Sequence, residues 1–154
     1  MAPLVIEDAR ALKSLAGREI GMTDWLVVTQ GRIQQFAEAT EDRQWIHLDH
    51  ERAERESPYH TTIAHGFLTL SLLSFLMKQT IQIKSGIRMA VNYGLNRVRF
   101  PSPVRADSKI RGRFILLSVK EVSDALEAVF AVTVESEGVD KPCCVAEWIV
   151  RYYS

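Results

Sequence analysis

The chain has 154 residues, 47% of them hydrophobic and 25% charged, which is the composition of a single globular domain able to bury its own core. Lys plus Arg and Asp plus Glu number 19 each, so no surplus of positive charge marks a nucleic-acid or membrane-surface binder. The first ten residues lack a basic segment leading into an apolar one, and the longest apolar-rich run, Gly66 to Met77, is shorter than the roughly 20 residues a bilayer span takes. Cys143 and Cys144 are adjacent, poorly placed for a structural disulfide, and with no CxxC the expected setting is a reducing cytoplasm.

In chain order, Ile6 to Ala16 carries apolar residues at helical spacing and ends at Gly17, which predicts a short helix with a glycine stop. Trp25 to Val28 predicts a short strand. Thr29 predicts an N-cap for a helix over Gln30 to Ala39, with Ile33, Phe36 and Ala37 on one face. Thr40 to Asp49 is polar and predicted to be irregular. Asp49 predicts a cap for a helix through Glu56, which Pro58 keeps short.

Gly66 to Met77 is apolar on nearly every side, with Thr69, Ser71 and Ser74 its only polar members, and predicts one buried central helix. The second half predicts strands over Arg88 to Arg99, Lys109 to Val122, Ala125 to Glu135 and Cys144 to Tyr153, with turns at Ser123-Asp124 and Glu137 to Pro142. Consecutive strands imply hairpins, hence an antiparallel sheet. The expected fold is α+β, one domain over residues 1–154 with a sheet around a helix.

Three ordered blocks stand out: Ala39-Thr40-Glu41-Asp42-Arg43-Gln44-Trp45-Ile46-His47-Leu48-Asp49, with Asp-x4-His at its core; Thr62-Ile63-Ala64-His65-Gly66-Phe67-Leu68; and Asn92-Tyr93-Gly94-Leu95-Asn96-Arg97-Val98-Arg99-Phe100, followed by Pro103-Val104. Together they resemble the MaoC-like dehydratases, also called hydratase 2 or (R)-specific enoyl-CoA hydratases, and within them the short single hot-dog members related to nodulation protein N. The first block resembles the hydratase signature, the second the entry to that family's central helix, and the third the strand returning past its active site. One departure stands out: Gln44-Trp45 occupies the place where many members have Asn-Pro.

The resemblance implies a hot-dog fold and reversible addition of water to a trans-2-enoyl-CoA, giving an (R)-3-hydroxyacyl-CoA. It also implies that Asp42 and His47 face the thioester together. Hydration needs a base for water, an acid for the α-carbon and donors for the thioester oxygen; histidine, with an ordinary pKa of about 6.5, suits proton traffic near neutrality. The N–H of Gly66, at the start of the central helix, is the expected oxyanion donor, with His65 beside the pocket and Gln44 and Tyr93 as further substrate contacts. Arg88, Arg97, Arg99 and Arg105 are candidates for coenzyme A phosphates.

No cofactor is expected, since there is neither a Walker A motif nor a GxGxxG, and coenzyme A would belong to the substrate; acyl carrier protein is the alternative carrier. No metal is expected, because His47-x2-His50 and His60-x4-His65 come without HExxH or paired cysteines. A lone sheet leaves an edge strand open, so a homodimer is expected. Two other functions compete. One is a hot-dog acyl-CoA thioesterase, although no Asp or Glu lies between Gly66 and Met77; the other is a non-catalytic hot-dog subunit of a dehydratase complex.

Overall fold

The computed structural model describes residues 2–154; Met1, the first residue of the expected 1–154 domain, lies outside the described residues. The chain opens with strand β1 (Leu4–Asp8) and a 3₁₀ helix (Ala9–Leu15), where a helix from Ile6 was expected. Two partners override the local spacing. β1 lies parallel to a strand far along the chain, with Leu4 opposite Ile81 and Asp8 opposite Ser85, and the Asp8 carboxylate then accepts from the Ala11 N–H to start the helix. Gly17, at φ +83°, supplies the left-handed turn that follows.

Strands β2 (Arg18–Met22) and β3 (Leu26–Val28) precede helix α1 (Gln30–Thr40), whose N-cap Thr29 accepts from the Arg32 N–H at 3.1 Å. Ile33 and Ala37 form its buried stripe. The segment after α1 is not wholly irregular, as it was expected to be. It contains the single-turn helix α2 (Trp45–Leu48), followed by α3 (His50–Glu56) capped by Asp49.

The central helix is two pieces, α4 (Gly66–Ser71) and α5 (Leu73–Met77), separated at Leu72. Leu68, Leu72, Leu73, Leu76 and Met77 are buried at helical spacing, and burying one such Leu contributes roughly 1.5–3 kcal/mol. The opposite face is open: Phe67 is 65% and Phe75 50% exposed, so the expectation of burial all round is corrected for one copy of the chain.

The strands β4 (Ile81–Ser85), β5 (Met89–Arg99), β6 (Ser108–Val122), β7 (Ala125–Ser136) and β8 (Cys144–Tyr153) complete the fold. β4 pairs with β1. The others form one antiparallel sheet in the order β2-β6-β7-β8-β5, with β3 also on β6. β5 therefore sits beside β8 at an edge instead of pairing with β6, its neighbour in sequence. Phe114, Leu116, Phe130, Val132, Ala146 and Val150 of the sheet pack with the α4–α5 leucines in one buried cluster.

Gly112 leaves room for side chains where the sheet meets the helix. A Cβ there would stand 2.9 Å from Phe114 and 3.4 Å from Leu76. This sheet wrapped on a helix is the hot-dog arrangement. Among the described residues, no helix is long and apolar enough to cross a membrane.

Candidate active site

Helix α1 ends at Glu41, held in the left-handed region at φ 64°, and the chain turns there to present Asp42. Arg43 pairs with Glu38 and Glu41 across this turn, exposed contacts that tie the loop to the helix but add little stability. α2 then carries His47 inward, to 5% exposure. Asp42, His47, His65 and Gly66 all line a cavity of about 490 Å³, together with Phe36, Thr40, Phe67 and Phe100.

Nδ1 of His47 lies 2.7 Å from the Ile63 carbonyl oxygen. A carbonyl only accepts, so Nδ1 carries the hydrogen and neutral His47 keeps its lone pair on Nε2. Burial lowers the His47 pKa below the ordinary value of 6.5; the Ile63 bond raises it, His65 lowers it and Asp42 raises it. The net direction favours a neutral imidazole, a proton acceptor near neutral pH.

His65 packs against the same ring, with centroids 3.7 Å apart and planes at 20°. Its Nε2–H donates to the Asp42 carbonyl at 2.9 Å, and its Nδ1 is buried with no hydrogen-bond partner among the described residues. His65 thereby touches both the backbone of residue 42 and the ring of residue 47.

One nitrogen of each imidazole and a carboxylate oxygen of Asp42 lie within 4.8 Å of one another. These atoms do not fit a metal as folded. An ion bound to imidazole lies in the ring plane about 2 Å from nitrogen, and two stacked planes tilted by 20° meet only far outside the rings. The same spacing suits a water molecule: two acceptors sharing one water at about 2.8 Å each stand about 4.6 Å apart.

Gly66 begins α4. The helix's first acceptor, His65 O, is taken by the Leu68 and Thr69 N–H groups, which leaves the N–H groups of Gly66 and Phe67 outside the ladder. The space a Cβ would fill on Gly66 is occupied by the Phe100 ring, at 3.0 Å. A side chain at this position would press on the aromatic wall packed against it, and the ring would have to give by a few tenths of an ångström.

Two expected contacts are not at the cavity. Gln44 is exposed and serves as the N-cap of α2 without a side-chain bond. Tyr93 is 56% exposed and lies under the Arg151 guanidinium at 3.5 Å, beside a separate cavity of about 260 Å³ bordered by Leu70, Ser74 and Trp148. A bulge explains the displacement: Asn92 faces Val150 and Gly94 faces Ile149, so Tyr93 is the extra residue in β5. Arg88, Arg97, Arg99 and Arg105 are exposed and none lines the cavity.

Sequence reasoning missed Phe36 and Phe100 as walls, and it missed Gln30 and Thr62. Gln30 donates through Nε2 to the His47 carbonyl at 2.8 Å, and Thr62, fully buried, donates its hydroxyl to Gln30 Oε1 at 2.5 Å. The placing of Phe36 on one face of the helix with Ile33 and Ala37 is the one available signal; nothing in the spacing connects residue 30 to residue 47.

Residues 12–139 match the family described as MaoC like domain. The 3-hydroxyacyl-thioester dehydratase Z of Mycobacterium tuberculosis is 48% identical over 147 residues, covering 95% of this chain and 96% of that protein. Nodulation protein N of Rhizobium meliloti is 44% identical over 139 residues, covering 90% and 86%. In three dimensions the chain is similar to the Archaeoglobus monoamine oxidase regulatory protein, with a TM-score of 0.77 at 19% identity, over 100% of this chain and 99% of the other.

Proposed function

The chain belongs to the MaoC-like dehydratase family and is a hydratase/dehydratase enzyme, and from that premise we propose that it adds water reversibly to a trans-2-enoyl-CoA to give the (R)-3-hydroxyacyl-CoA. The observation that carries this reading is the shared cavity beside the α4 N-terminus, which Asp42 and His47 both line, with an Asp42 carboxylate oxygen and an imidazole nitrogen of His47 within 4.8 Å of each other and Nε2 left as the His47 acceptor. Both groups are acceptors, so each holds one hydrogen of the water and its oxygen is aimed at the β-carbon.

As that oxygen bonds to the β-carbon, a proton passes from water to the pair. A proton from the pair then closes the α-carbon, so the two side chains end as they began. Negative charge on the thioester oxygen meets the Gly66 N–H. Removing one such donor in acyl-transfer enzymes costs about 2.7–4 kcal/mol of barrier. The (R) hand follows the hydratases whose signature the Asp42–His47 block resembles, and either coenzyme A or acyl carrier protein suits the role of carrier. Cys143 and Cys144 are buried free thiols, which accords with a reducing cytoplasm.

A second copy of the chain is the proposed partner. Among the described residues β5 has a strand neighbour only on its β8 side, and it exposes Met89, Val91, Tyr93 and Leu95. An apolar edge of this kind is normally covered.

The test follows crotonyl-CoA and a longer enoyl-CoA, reading loss of conjugated absorbance and, separately, release of free thiol. Absorbance loss without thiol is the expected result; thiol release instead indicates hydrolysis, and neither signal points to a non-catalytic subunit. Asp42→Asn and His47→Gln should each lower turnover by at least about 10²-fold with folding intact. Near-wild-type turnover in either variant defeats the assignment.

A further inference from the structure

We propose that Gln30 is a positioning residue for His47, holding its imidazole in the pose the reaction needs; this rests on the reading of His47 as half of the water-holding pair. α2 has four residues, too few for a helix to persist on its own contacts, and its last carbonyls have no acceptor role within it. Its internal bonds end with Asp49 N–H donating to Trp45 O. The His47 carbonyl is instead met by the side chain of Gln30, 17 positions away.

The geometry leaves the amide one orientation. The His47 carbonyl can only accept, so the NH2 end of Gln30 faces it, at 2.8 Å, and the oxygen end faces the buried Thr62 hydroxyl. Gln30 is fixed in turn by its own N–H, which donates to Asp107 Oδ1 at 3.2 Å. The next residue after Thr62 completes the clamp: Ile63 N–H donates to Ile46 O at 3.0 Å, and Ile63 O receives the His47 Nδ1–H at 2.7 Å.

Residues 46 and 47 are thus gripped at two carbonyls and one ring nitrogen by two segments of chain. Gln30 is also the first residue of α1, and the last turn of that helix leads directly to Asp42. One rigid element therefore carries the Asp42 loop at its end and the brace on His47 at its start. The two acceptors are thus tied to opposite ends of α1 as well as to the short segment, residues 43–46, between them.

The variants are Gln30→Leu, which removes both bonds, and Gln30→Glu, which can still accept from Thr62 but sets an oxygen against the His47 carbonyl. Thr62→Val, which frees one end of the amide, and Thr62→Ser, which keeps the hydroxyl, complete the set. Steady-state hydration of crotonyl-CoA, thermal melts and ¹⁵N NMR of the histidine rings are measured on each. Gln30→Leu and Gln30→Glu should lower kcat by about 10-fold or more with KM within about 2-fold, in line with the 10²-fold penalty of a misplacement near 1 Å. Their His47 ring should lose its fixed Nδ1–H form, and Thr62→Ser should behave as wild type.

An unchanged His47 spectrum overturns the proposal, even where kcat falls. So does a lowered melting temperature with unchanged kcat per folded molecule. If Gln30→Leu does not fold, Thr62→Val carries the same two readouts. The two readings fail separately: an active His47→Gln defeats the catalytic pair, while the ring spectrum still decides whether Gln30 orients His47.

Discussion

Replacing Gly66 by alanine sets two opposing effects against each other. Gly66 does not have a positive φ, so the backbone accepts a side chain, and alanine favours a helix over glycine by up to about 1 kcal/mol. Against this, the new Cβ would stand 3.0 Å from two atoms of the Phe100 ring and 3.2 Å from a third. Overpacking of this kind costs about 1–3 kcal/mol in a rigid core. Phe100 is only partly buried, so it has room to yield by a few tenths of an ångström.

The net loss should be about 0–2 kcal/mol, a fall in Tm of about 0–8 °C for a domain of this size. Activity should respond as well. The ring that moves is a wall of the cavity holding Asp42 and His47; a misplacement of 1 Å can cost about 10²-fold, so a shift of a few tenths of an ångström should lower turnover by roughly 2–10-fold. Melting curves together with crotonyl-CoA hydration measure both. Full activity in Gly66→Ala would refute the idea that Phe100 and Gly66 jointly shape the site. A Tm drop well beyond 10 °C would refute the claim that the ring can give way.

The His47 pKa, depressed by burial, makes two linked predictions. Activity should persist below pH 6.5, with the acid limb of kcat/KM falling under the ordinary histidine value; a limb at or above 6.5 contradicts the burial argument. Below about pH 6.5 the unfolded chain binds a proton that folded His47 resists, so its contribution to stability is full above 6.5 and is lost as pH falls through the folded pKa. Melting temperature measured across that range should decline on the acid side for wild type more than for His47→Gln. For the proposed dimer, Val91→Lys on the β5 edge should shift the protein toward monomer in analytical ultracentrifugation; a wild type that is already monomeric removes the basis for it.

The elements that were legible in the sequence are those whose burial alternates or recurs within one segment. Cys144 to Tyr153 reads as a strand because it sits between two neighbours and carries the buried Ala146, Trp148 and Val150 along its inner face. β2 and β4 escaped notice: Arg-Glu-Ile-Gly-Met and Ile-Gln-Ile-Lys-Ser are five residues each, with a single buried residue apiece. β1 misled, because its strand character comes from pairing with residues 81–85, which no local pattern reports. At the site, Asp42, His47, His65 and Gly66 come together because two short motifs meet in one cavity. Tyr93 does not, because a bulge re-aims it, and a bulge leaves no mark in a strand's composition.

Three locally unfavourable features of this chain lie where the chemistry is proposed, although His60, Asp107 and Ser123 also hold a positive φ elsewhere. Glu41 holds a left-handed conformation with no glycine's freedom, α2 is too short to stand alone, and His65 buries a lone pair without a donor. Strain or an orphaned polar atom of these kinds costs on the order of 1–3 kcal/mol each. The antiparallel sheet and the leucines of α4 and α5 supply the burial that offsets them, from residues with no part in the cavity. The brace through Gln30, Thr62 and Ile63 then turns that stability into position, because each of its bonds ends on a group whose partner is fixed by the fold. The aspartate, the two stacked imidazoles and the glycine that face one cavity are thereby held in place by contacts that originate outside it.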